Sequence, residues 1–318
     1  MKNTTQLFNR RRLIQRAAQS LAVCGAAGVA SAIDYNKPAP GSENLTMEET
    51  NGLTILRWNN RAIGAYRSLA SQKYPYFYPL AGPASGISLV AESALPYPHH
   101  RGLWLGCQPM NGGDYWGDTS LDQGHIQSHR LPAGKGTPLS ATFASRCEWV
   151  RKGAPSPIED TRTFAVQVDG KRRWWLDADI TLTAREEIVV KSAKHSFFAL
   201  RVIPELSPLY GGVLMNSEGQ TGAEATYGKP ARWCGYHGKT APNVVEGLAI
   251  MEHPENPWKP CPWFTRDYGH LSPSPFAFIK QPWTLAKGKS IRLRYRVVMH
   301  AGTPKKAGLD ELYSKWIA

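Results

Sequence analysis

Apolar and polar residues alternate with a period of two along several segments of the chain. In residues 174–182 every second residue is apolar, and three of the residues between them are Asp or Thr. In residues 291–299 apolar residues alternate with three arginines at first and then run on without a break. A period of two indicates β-strands with one buried and one polar face. We expect these arginines to line a solvated face.

Further short runs rich in β-branched and aromatic residues predict more strands. The predicted strands cover residues 53–58, 62–66, 86–90, 103–107, 142–150, 163–168, 174–182, 188–191, 197–203, 248–251, 276–279 and 291–299. Asp169-Gly170 is a type I′ hairpin signal, and Lys287-Gly288-Lys289 indicates another tight reversal. Both turns predict antiparallel neighbours.

Only residues 309–317 have a helical pattern, with Asp310 and Glu311 in the first turn and Lys315 late, as the helix dipole favours. The predicted fold class is therefore all-β, an antiparallel β-sandwich with a short C-terminal helix. At this length one large β domain competes with two smaller ones, and we expect one, over residues 51–318. Residues 33–50 are expected to be a linker because turn formers dominate their first part.

The first 32 residues predict export by the twin-arginine route. Arg10, Arg11 and Arg12 precede a stretch of small and apolar residues that ends in Ala30-Ser31-Ala32, a pattern that signal peptidase cleaves. A membrane anchor would need a longer and more apolar stretch, and bulky Val23 before Cys24 weakens a lipoprotein signal. We expect a periplasmic or extracellular protein without a membrane span.

Removal of residues 1–32 would lower the net charge from +13 to +8, because the segment holds five basic residues and no acidic one. The remaining basic residues are scattered without a nucleic-acid motif, so we expect no nucleic-acid partner. Four cysteines follow, Cys107, Cys147, Cys234 and Cys261, without C-x-x-C spacing. They exclude a zinc ribbon and leave disulfides and free buried thiols as alternatives.

Histidine, tryptophan and carboxylate residues concentrate in four segments that look like loops. The first holds His99 and His100, which can share a site only if Pro98 and Gly102 bend the backbone. The second segment contributes candidates for substrate binding, with a histidine after them on an extended run. These are Asn111, Asp114, Trp116 and His125.

The third and fourth segments are rich in glycine and proline, which let a backbone approach a ligand or hold a rigid loop. In the third, Glu218 could transfer a proton and Arg232 could clamp an anion. The fourth supplies Asp267 as a second carboxylate. Aromatic rings that stack on sugars, with polar groups for the hydroxyls, complete the candidate binding set. That set is Asn216, Tyr227, Trp233, His253, Asn256, Trp263, Arg266 and Tyr268.

Four motifs in these segments resemble an uncharacterised bacterial family that carries the label "methane oxygenase PmoA". They are HHRGLW, N-G-x-D-x-W followed by G-H-I, Y-G-K-P-A-R-W-C-x-Y-x-G, and H-P-x-N-P-x-x-P-x-x-W-x-x-R-D-Y-G, within residues 74–300. The family often has Asp-His-Pro-His-His where this chain has Pro96-Tyr97-Pro98 before its two histidines. The methane monooxygenase subunit of that name is a multi-span membrane protein, and no apolar segment here supports such a protein.

The resemblance implies a fold of the galactose-mutarotase or lectin type and a role in exported sugar degradation. The leading hypothesis is a carbohydrate-active enzyme that cleaves a glycosidic bond. Hydrolysis would use Glu218 and Asp267, whereas elimination from an oxidised 3-keto sugar would use His100 or His125 as base with Arg232.

Two alternatives remain open. A non-catalytic glycan-binding domain would use the same aromatic residues. A metalloprotein would hold a divalent metal with His99, His100, His125 and His253.

Overall fold

Two eight-stranded antiparallel sheets form the frame of the protein. The computed structural model describes residues 44–131, 136–170 and 172–318. The predicted signal segment, its cleavage site and Cys24 lie outside these residues. In sheet I the strand order is β1-β2-β3-β4-β5-β11-β16-β15, and in sheet II it is β12-β13-β14-β18-β9-β8-β7-β6. A two-stranded ribbon pairs β10 with β17.

The strands have the following bounds. Sheet I comprises β1 Leu45–Thr50, β2 Leu53–Trp58, β3 Arg61–Arg67, β4 Tyr76–Leu80, β5 Leu103–Gln108, β11 His195–Arg201, β15 Trp263–Thr265 and β16 His270–Pro273. Sheet II comprises β6 His125–Arg130, β7 Ser140–Val150, β8 Ile158–Asp169, β9 Arg173–Ala184, β12 Val213–Asn216, β13 Trp233–Ala241, β14 Val244–Glu252 and β18 Ser290–Ala301. The ribbon comprises β10 Ile188–Val190 and β17 Trp283–Leu285.

The core lies between the sheets and is largely aromatic. Phe198 of sheet I stacks on Tyr295 of sheet II with ring centroids 4.5 Å apart. Phe77 of sheet I meets Phe164 of sheet II edge to face at 4.9 Å. Such offset and edge contacts add to the stabilisation from apolar burial. The predicted antiparallel β-sandwich is confirmed.

Part of the outer face of sheet II is covered by the C-terminal helix. A short helix α1, Gly222–Thr226, follows β12, and α2, Pro304–Ala307, and α3, Leu309–Ile317, follow β18. Leu312 and Tyr313 of α3 pack with Trp233, Met251 and Val298 in a second apolar cluster. The helix predicted at residues 309–317 is confirmed.

Some local predictions differ from the structure. Residues 45–50 form β1 rather than a linker and pair with β2 along its whole length. The Asp169-Gly170 turn joins the antiparallel strands β8 and β9, as predicted. The turn at residues 287–289 joins β17 and β18, but β17 pairs with β10 and β18 with β9, so the expected pairing of its two flanking strands is wrong. Residues 86–90 form only isolated bridges, and residues 276–279 form no strand.

The glycine-rich third segment is not the long loop that its composition predicts. Residues 233–241 form β13, which runs between β12 and β14 inside sheet II. Gly235 allows this because a side-chain Cβ there would lie 2.4 Å from the carbonyl oxygen of Leu248. The glycines therefore permit close strand packing.

The cysteine alternatives are resolved in favour of thiols. Cys107, Cys147, Cys234 and Cys261 are all buried and free. Burial raises the pKa of the Cys147 thiol to about 11, so this thiol is not a reactive nucleophile near neutral pH. In the part of the chain that the structure describes, no helix combines the length and apolar character needed to cross a membrane.

Candidate active site

The adjacent ends of β5, β11 and β16 carry a cluster of imidazole and aromatic side chains on the outer face of sheet I. Arg201 pairs directly with His270, and Trp104 pairs with Ala199 two residues before Arg201. Because side chains alternate between the faces of a sheet, Trp104, Arg201 and His270 lie on the same face. This face is opposite to that of Phe198, which points into the core.

Loops close over this face and complete the group. We call it the imidazole cluster, and it comprises Tyr97, His99, His100, Trp104, Trp116, Arg201, Tyr268 and His270. The rings of His100 and His270 are 4.8 Å apart, and those of Trp104 and Trp116 are 5.2 Å apart. The structure thus brings together four candidates from the sequence, namely His99, His100, Trp116 and Tyr268.

A short polar contact joins His99 to Asp118. The Nδ1 atom of His99 lies 2.6 Å from Oδ2 of Asp118, and the Tyr74 hydroxyl donates to the backbone carbonyl of His99. The Asp118 carboxylate accepts a hydrogen bond from the Nδ1–H group of a neutral imidazole, which leaves the basic lone pair on Nε2. His99 and Asp118 line a cavity of about 210 Å³ together with Lys73, Tyr74 and Trp116.

Asp114 organises the loop that carries Trp116 and Asp118. Its Oδ1 accepts hydrogen bonds from the backbone N–H groups of Trp116 at 3.0 Å and Gly117 at 2.6 Å, and its Oδ2 accepts one from the Thr119 hydroxyl at 2.6 Å. Burial opposes the charged form, but these hydrogen bonds outweigh it and hold the pKa of Asp114 below its usual value. Asp114 thus positions the loop.

Arg201 binds His100 and lies beneath Tyr268. Its Nη1 lies 3.4 Å from Nδ1 of His100, and its guanidinium carbon is 4.5 Å from the centre of the Tyr268 ring. Only 7% of Arg201 is exposed, and burial lowers the pKa of its guanidinium. The sequence did not single out Arg201 or His270.

Two further predicted residues lie next to the cluster. The guanidinium of Arg266 packs over the rings of Phe264 at 4.2 Å and Tyr227 at 4.7 Å. Phe264 in turn meets the His270 ring edge to face at 5.5 Å. Arg266 and Tyr227 therefore adjoin the imidazole cluster through Phe264.

Glu218 and Arg232 lie in a different cavity, of about 220 Å³, beside the C-terminal helix. Arg232 is 4.0 Å from Glu218 and 3.2 Å from Asp310. The same cavity is lined by Glu252, which the sequence did not single out. Burial raises the pKa of Glu252 to about 7, so this carboxyl exchanges protons near neutral pH.

Several other candidates hold the backbone in place. Oδ1 of Asp267 accepts the Ala223 N–H at 2.9 Å, and Asn111 bonds the backbone of Glu187 and Val189. Asp267 does not line the Glu218 cavity. The predicted Glu218–Asp267 pair is therefore not gathered in one cavity.

The two remaining candidate asparagines also hold the backbone in place. Asn216 organises its own turn through Glu218 and Gln220. Asn256 pins its loop to the backbone of Arg294 in β18. Both side chains are buried, and their hydrogen bonds are to neighbouring protein groups.

The predicted tryptophans and outlying histidines are likewise engaged by protein groups. Trp233 donates to Asp310, and Trp263 donates to the carbonyl of Ala231. His253 accepts the Glu255 N–H, while Nδ1 of His125 contacts the Leu121 carbonyl.

The proposed four-histidine metal set is not assembled. His99 and His100 are adjacent, with ring centroids 4.6 Å apart, but His253 packs on Trp316 at 5.0 Å. Across residues 44–131, 136–170 and 172–318, no group of three or more His, Cys, Asp or Glu residues is arranged to hold a metal ion.

The chain belongs to a family of unknown function, DUF6807, whose model matches residues 48–314. No curated protein gives a significant match. This finding agrees with the expectation of an uncharacterised family.

Several solved structures that resemble this chain at low identity are carbohydrate-active enzymes or their homologues. A polysaccharide lyase is 11% identical with a TM-score of 0.30, and the match covers 85% of this chain. This chain spans only 34% of that lyase. A galactose mutarotase related enzyme from Lactobacillus acidophilus is 7% identical with a TM-score of 0.32, covering 81% of this chain and 98% of the enzyme. An aldose epimerase homologue from C. elegans is 9% identical with a TM-score of 0.29, covering 81% and 99%.

Proposed function

We propose that this member of the DUF6807 family is a carbohydrate-active enzyme that cleaves a glycosidic bond by elimination at the imidazole cluster. The observation that carries the proposal is the 2.6 Å contact between His99 and Asp118 in a cavity beside His100. A carboxylate that orients a histidine in this way is the usual arrangement of a general base.

In this mechanism Nε2 of His99 removes a proton from a sugar carbon next to a carbonyl group. The electron pair of that C–H bond forms a carbon–carbon double bond, and the bond to the glycosidic oxygen breaks. The leaving oxygen takes up a proton. The products are an unsaturated sugar and a new hydroxyl, so no oxidant or reductant is consumed.

His100 and Arg201 stabilise the developing negative charge. Because Arg201 donates to Nδ1 of His100, the neutral imidazole holds its own proton on Nε2 and can donate it. Arg201 adds a fixed positive charge beside it, in a buried setting where electrostatic stabilisation is strong. Arg201 thus takes the role that the sequence suggested for Arg232.

The aromatic members of the cluster fit the stacking needs of a sugar ring. Tyr97 and Tyr268 lie 5.2 Å apart between ring centroids, and Tyr97 is exposed. Sugar C–H faces pack on such rings while hydroxyl groups need polar partners nearby. A non-catalytic glycan-binding domain would use the same rings but would not need the His99–Asp118 pair.

Hydrolysis is a second candidate, and one observation favours it at the other cavity. Glu218 and Glu252 line the same 220 Å³ space, and the pKa of Glu252 is raised to about 7 by burial. Two carboxyl groups that line one cavity, one of them with a raised pKa, can act as acid and base on a glycosidic bond. Glu252 would then replace Asp267 as the partner of Glu218.

The decisive experiment incubates the purified protein with oligosaccharides and 3-keto-glycosides, with and without a chelator. We expect cleavage that yields an unsaturated product, and a loss of about 100-fold or more in His99→Gln. Exposed His129 on β6 offers the matched control His129→Gln. Full activity of His99→Gln would exclude this base. Loss of activity in Glu252→Gln alone would favour hydrolysis, and loss with chelator would indicate a metal.

The export prediction remains part of this proposal. The arginines of residues 10–12 and the Ala30-Ser31-Ala32 pattern support it. Fractionation of cells that express the chain with Arg10, Arg11 and Arg12 changed to Lys tests it, because twin-arginine export should then fail. Unchanged export would contradict this route.

A further inference from the structure

Arg201 is a buried cation without a carboxylate partner. Four arginines are buried in the described part of the chain, namely Arg57, Arg162, Arg201 and Arg296. Arg162 pairs with Asp160 at 2.7 Å, Arg296 with Asp177 at 2.6 Å and Arg57 with Glu48 at 3.5 Å. Among the described residues, no carboxylate lies within 4.0 Å of Arg201. Buried charges in proteins are normally paired, because desolvation of a lone charge is costly.

The groups around Arg201 do not supply the missing negative charge. Nη1 contacts the imidazole of His100, a group that carries no negative charge, and one face of the guanidinium lies on the Tyr268 ring. Burial raises the pKa of Tyr268 and of nearby Tyr236, so both stay uncharged phenols near neutral pH. A ring face attracts a cation but does not neutralise it.

We infer that the substrate supplies this charge, and that the imidazole cluster takes a sugar bearing a carboxylate, a uronate. The inference rests on the proposed function for the position of the substrate. A planar guanidinium with five donors matches a carboxylate in two parallel hydrogen bonds. A neutral 3-keto sugar would leave Arg201 unpaired in the complex.

The elimination chemistry of a uronate suits this placement. Neutralising the carboxylate makes the hydrogen on the adjacent ring carbon more acidic, and His99 can then take that proton. The bond between the next ring carbon and the glycosidic oxygen breaks as the double bond forms, and the leaving oxygen is protonated. Atoms and electrons balance without a co-reactant.

Binding measurements separate the inference from the proposed function. The probes are the methyl glycosides of galacturonic, glucuronic, mannuronic and guluronic acids, each compared by calorimetry with its methyl ester and its neutral C6 alcohol. We expect at least one free acid to bind about 100-fold more tightly than its ester. Equal affinity of every acid and ester would overturn the inference.

Two variants test whether Arg201 is responsible. Arg201→Met should abolish the preference for acid over ester while keeping the melting temperature equal or higher, because an unpaired buried charge is removed. Arg292→Met removes the same charge from an exposed pair with Asp179 and should keep the preference. A retained preference in folded Arg201→Met would contradict the assignment. If Arg201→Met does not fold, Arg201→Lys decides, because it keeps the charge but loses the planar pair of donors. Weaker binding of acids by Arg201→Lys would support the assignment, and unchanged binding would overturn it.

The two proposals fail in different ways. Uronate binding without cleavage would support the carboxylate inference and refute elimination. Cleavage of neutral 3-keto-glycosides with no preference for acids would support the proposed function and refute the inference. A 6-sulfated neutral sugar that binds in place of every uronate would also refute it.

Discussion

Asp160 and Arg162 form an ion pair in the core of the protein, with Nε of Arg162 2.7 Å from Oδ1 of Asp160 and both side chains almost fully buried. Trp149 adds a hydrogen bond to Oδ2 of Asp160 at 2.8 Å. The pair lies on β8 among apolar side chains of the sandwich. Each charge of the pair is neutralised by the other, so removal of one partner leaves the other as an unpaired buried charge.

Asp160→Asn should therefore lower the free energy of unfolding by about 3–5 kcal/mol. Denaturant titration followed by tryptophan fluorescence measures the change. The matched control is Asp179→Asn, because the ion pair of Asp179 with Arg292 is exposed. This variant should lower the free energy of unfolding by no more than about 1 kcal/mol. Similar losses in both variants would show that burial does not decide the contribution of the pair.

Asp118→Asn should impair the proposed base without unfolding the protein. The amide can donate to Nδ1 of His99 and so favour the wrong tautomer, and we expect kcat to fall by about 100-fold. The nitrogen chemical shifts of the His99 ring report the tautomer independently of activity. Asp122→Asn, at an exposed pair with Lys152, is the control. An unchanged tautomer in Asp118→Asn would remove Asp118 from the mechanism.

His300 should make the fold sensitive to acid. Burial, helped by nearby His237, lowers the pKa of His300 to about 3, whereas the unfolded chain binds this proton near the ordinary value of about 6.5. Between these values the unfolded state holds more protons, so stability falls as pH falls, by up to about 1.4 kcal/mol per pH unit. Unfolding titrations from pH 7 to pH 4 should show a shallower slope in His300→Gln than in wild type.

The control for this slope is His129→Gln on the exposed edge strand β6, which should keep the wild-type dependence. His300→Gln can itself lower stability, but the measured quantity is the slope. An identical slope in wild type and His300→Gln would contradict the assignment.

Glu252 should act in the opposite direction. Burial raises its pKa to about 7 from 4.5, so between these values the folded state holds more protons than the unfolded state. Stability contributed by this group is present below pH 4.5 and declines as pH rises through 7. The free energy of unfolding of Glu252→Gln relative to wild type should therefore increase between pH 5 and pH 8, whereas exposed Glu224→Gln should show no trend. A flat difference for Glu252→Gln would show that folding does not raise the pKa of Glu252.

The sheet that could be predicted best is sheet II, because its long strands carry a clear alternation. β8 and β9 each span 12 residues with every second residue buried. The short strands β4 and β15 of sheet I span 5 and 3 residues, which is too few for a period to emerge. The sequence did not predict β1, because its residues directly follow a turn-rich segment.

The candidate site was only partly predictable for a related reason. His99, His100, Trp116 and Tyr268 stand in segments whose composition is unusual. Arg201 ends an ordinary apolar strand, and it reaches His270 only through the pairing of β11 with β16. Glu252 ends another apolar strand, and its burial depends on the loop that follows it. Such contacts between distant parts of the sequence depend on the topology of the fold, which local sequence patterns do not encode.

The docking of the C-terminal helix α3 can be followed by tryptophan fluorescence. Trp233 is buried beneath it and donates to Asp310 of the helix, and Tyr313 lines the cavity of Glu252. Detachment of the helix would bring water to the indole ring. Because the chain holds 11 tryptophans, the difference in emission between the wild type and Trp233→Phe isolates the signal of Trp233. That difference reports helix docking, so a tag fused after Ala318 can be checked before activity is measured.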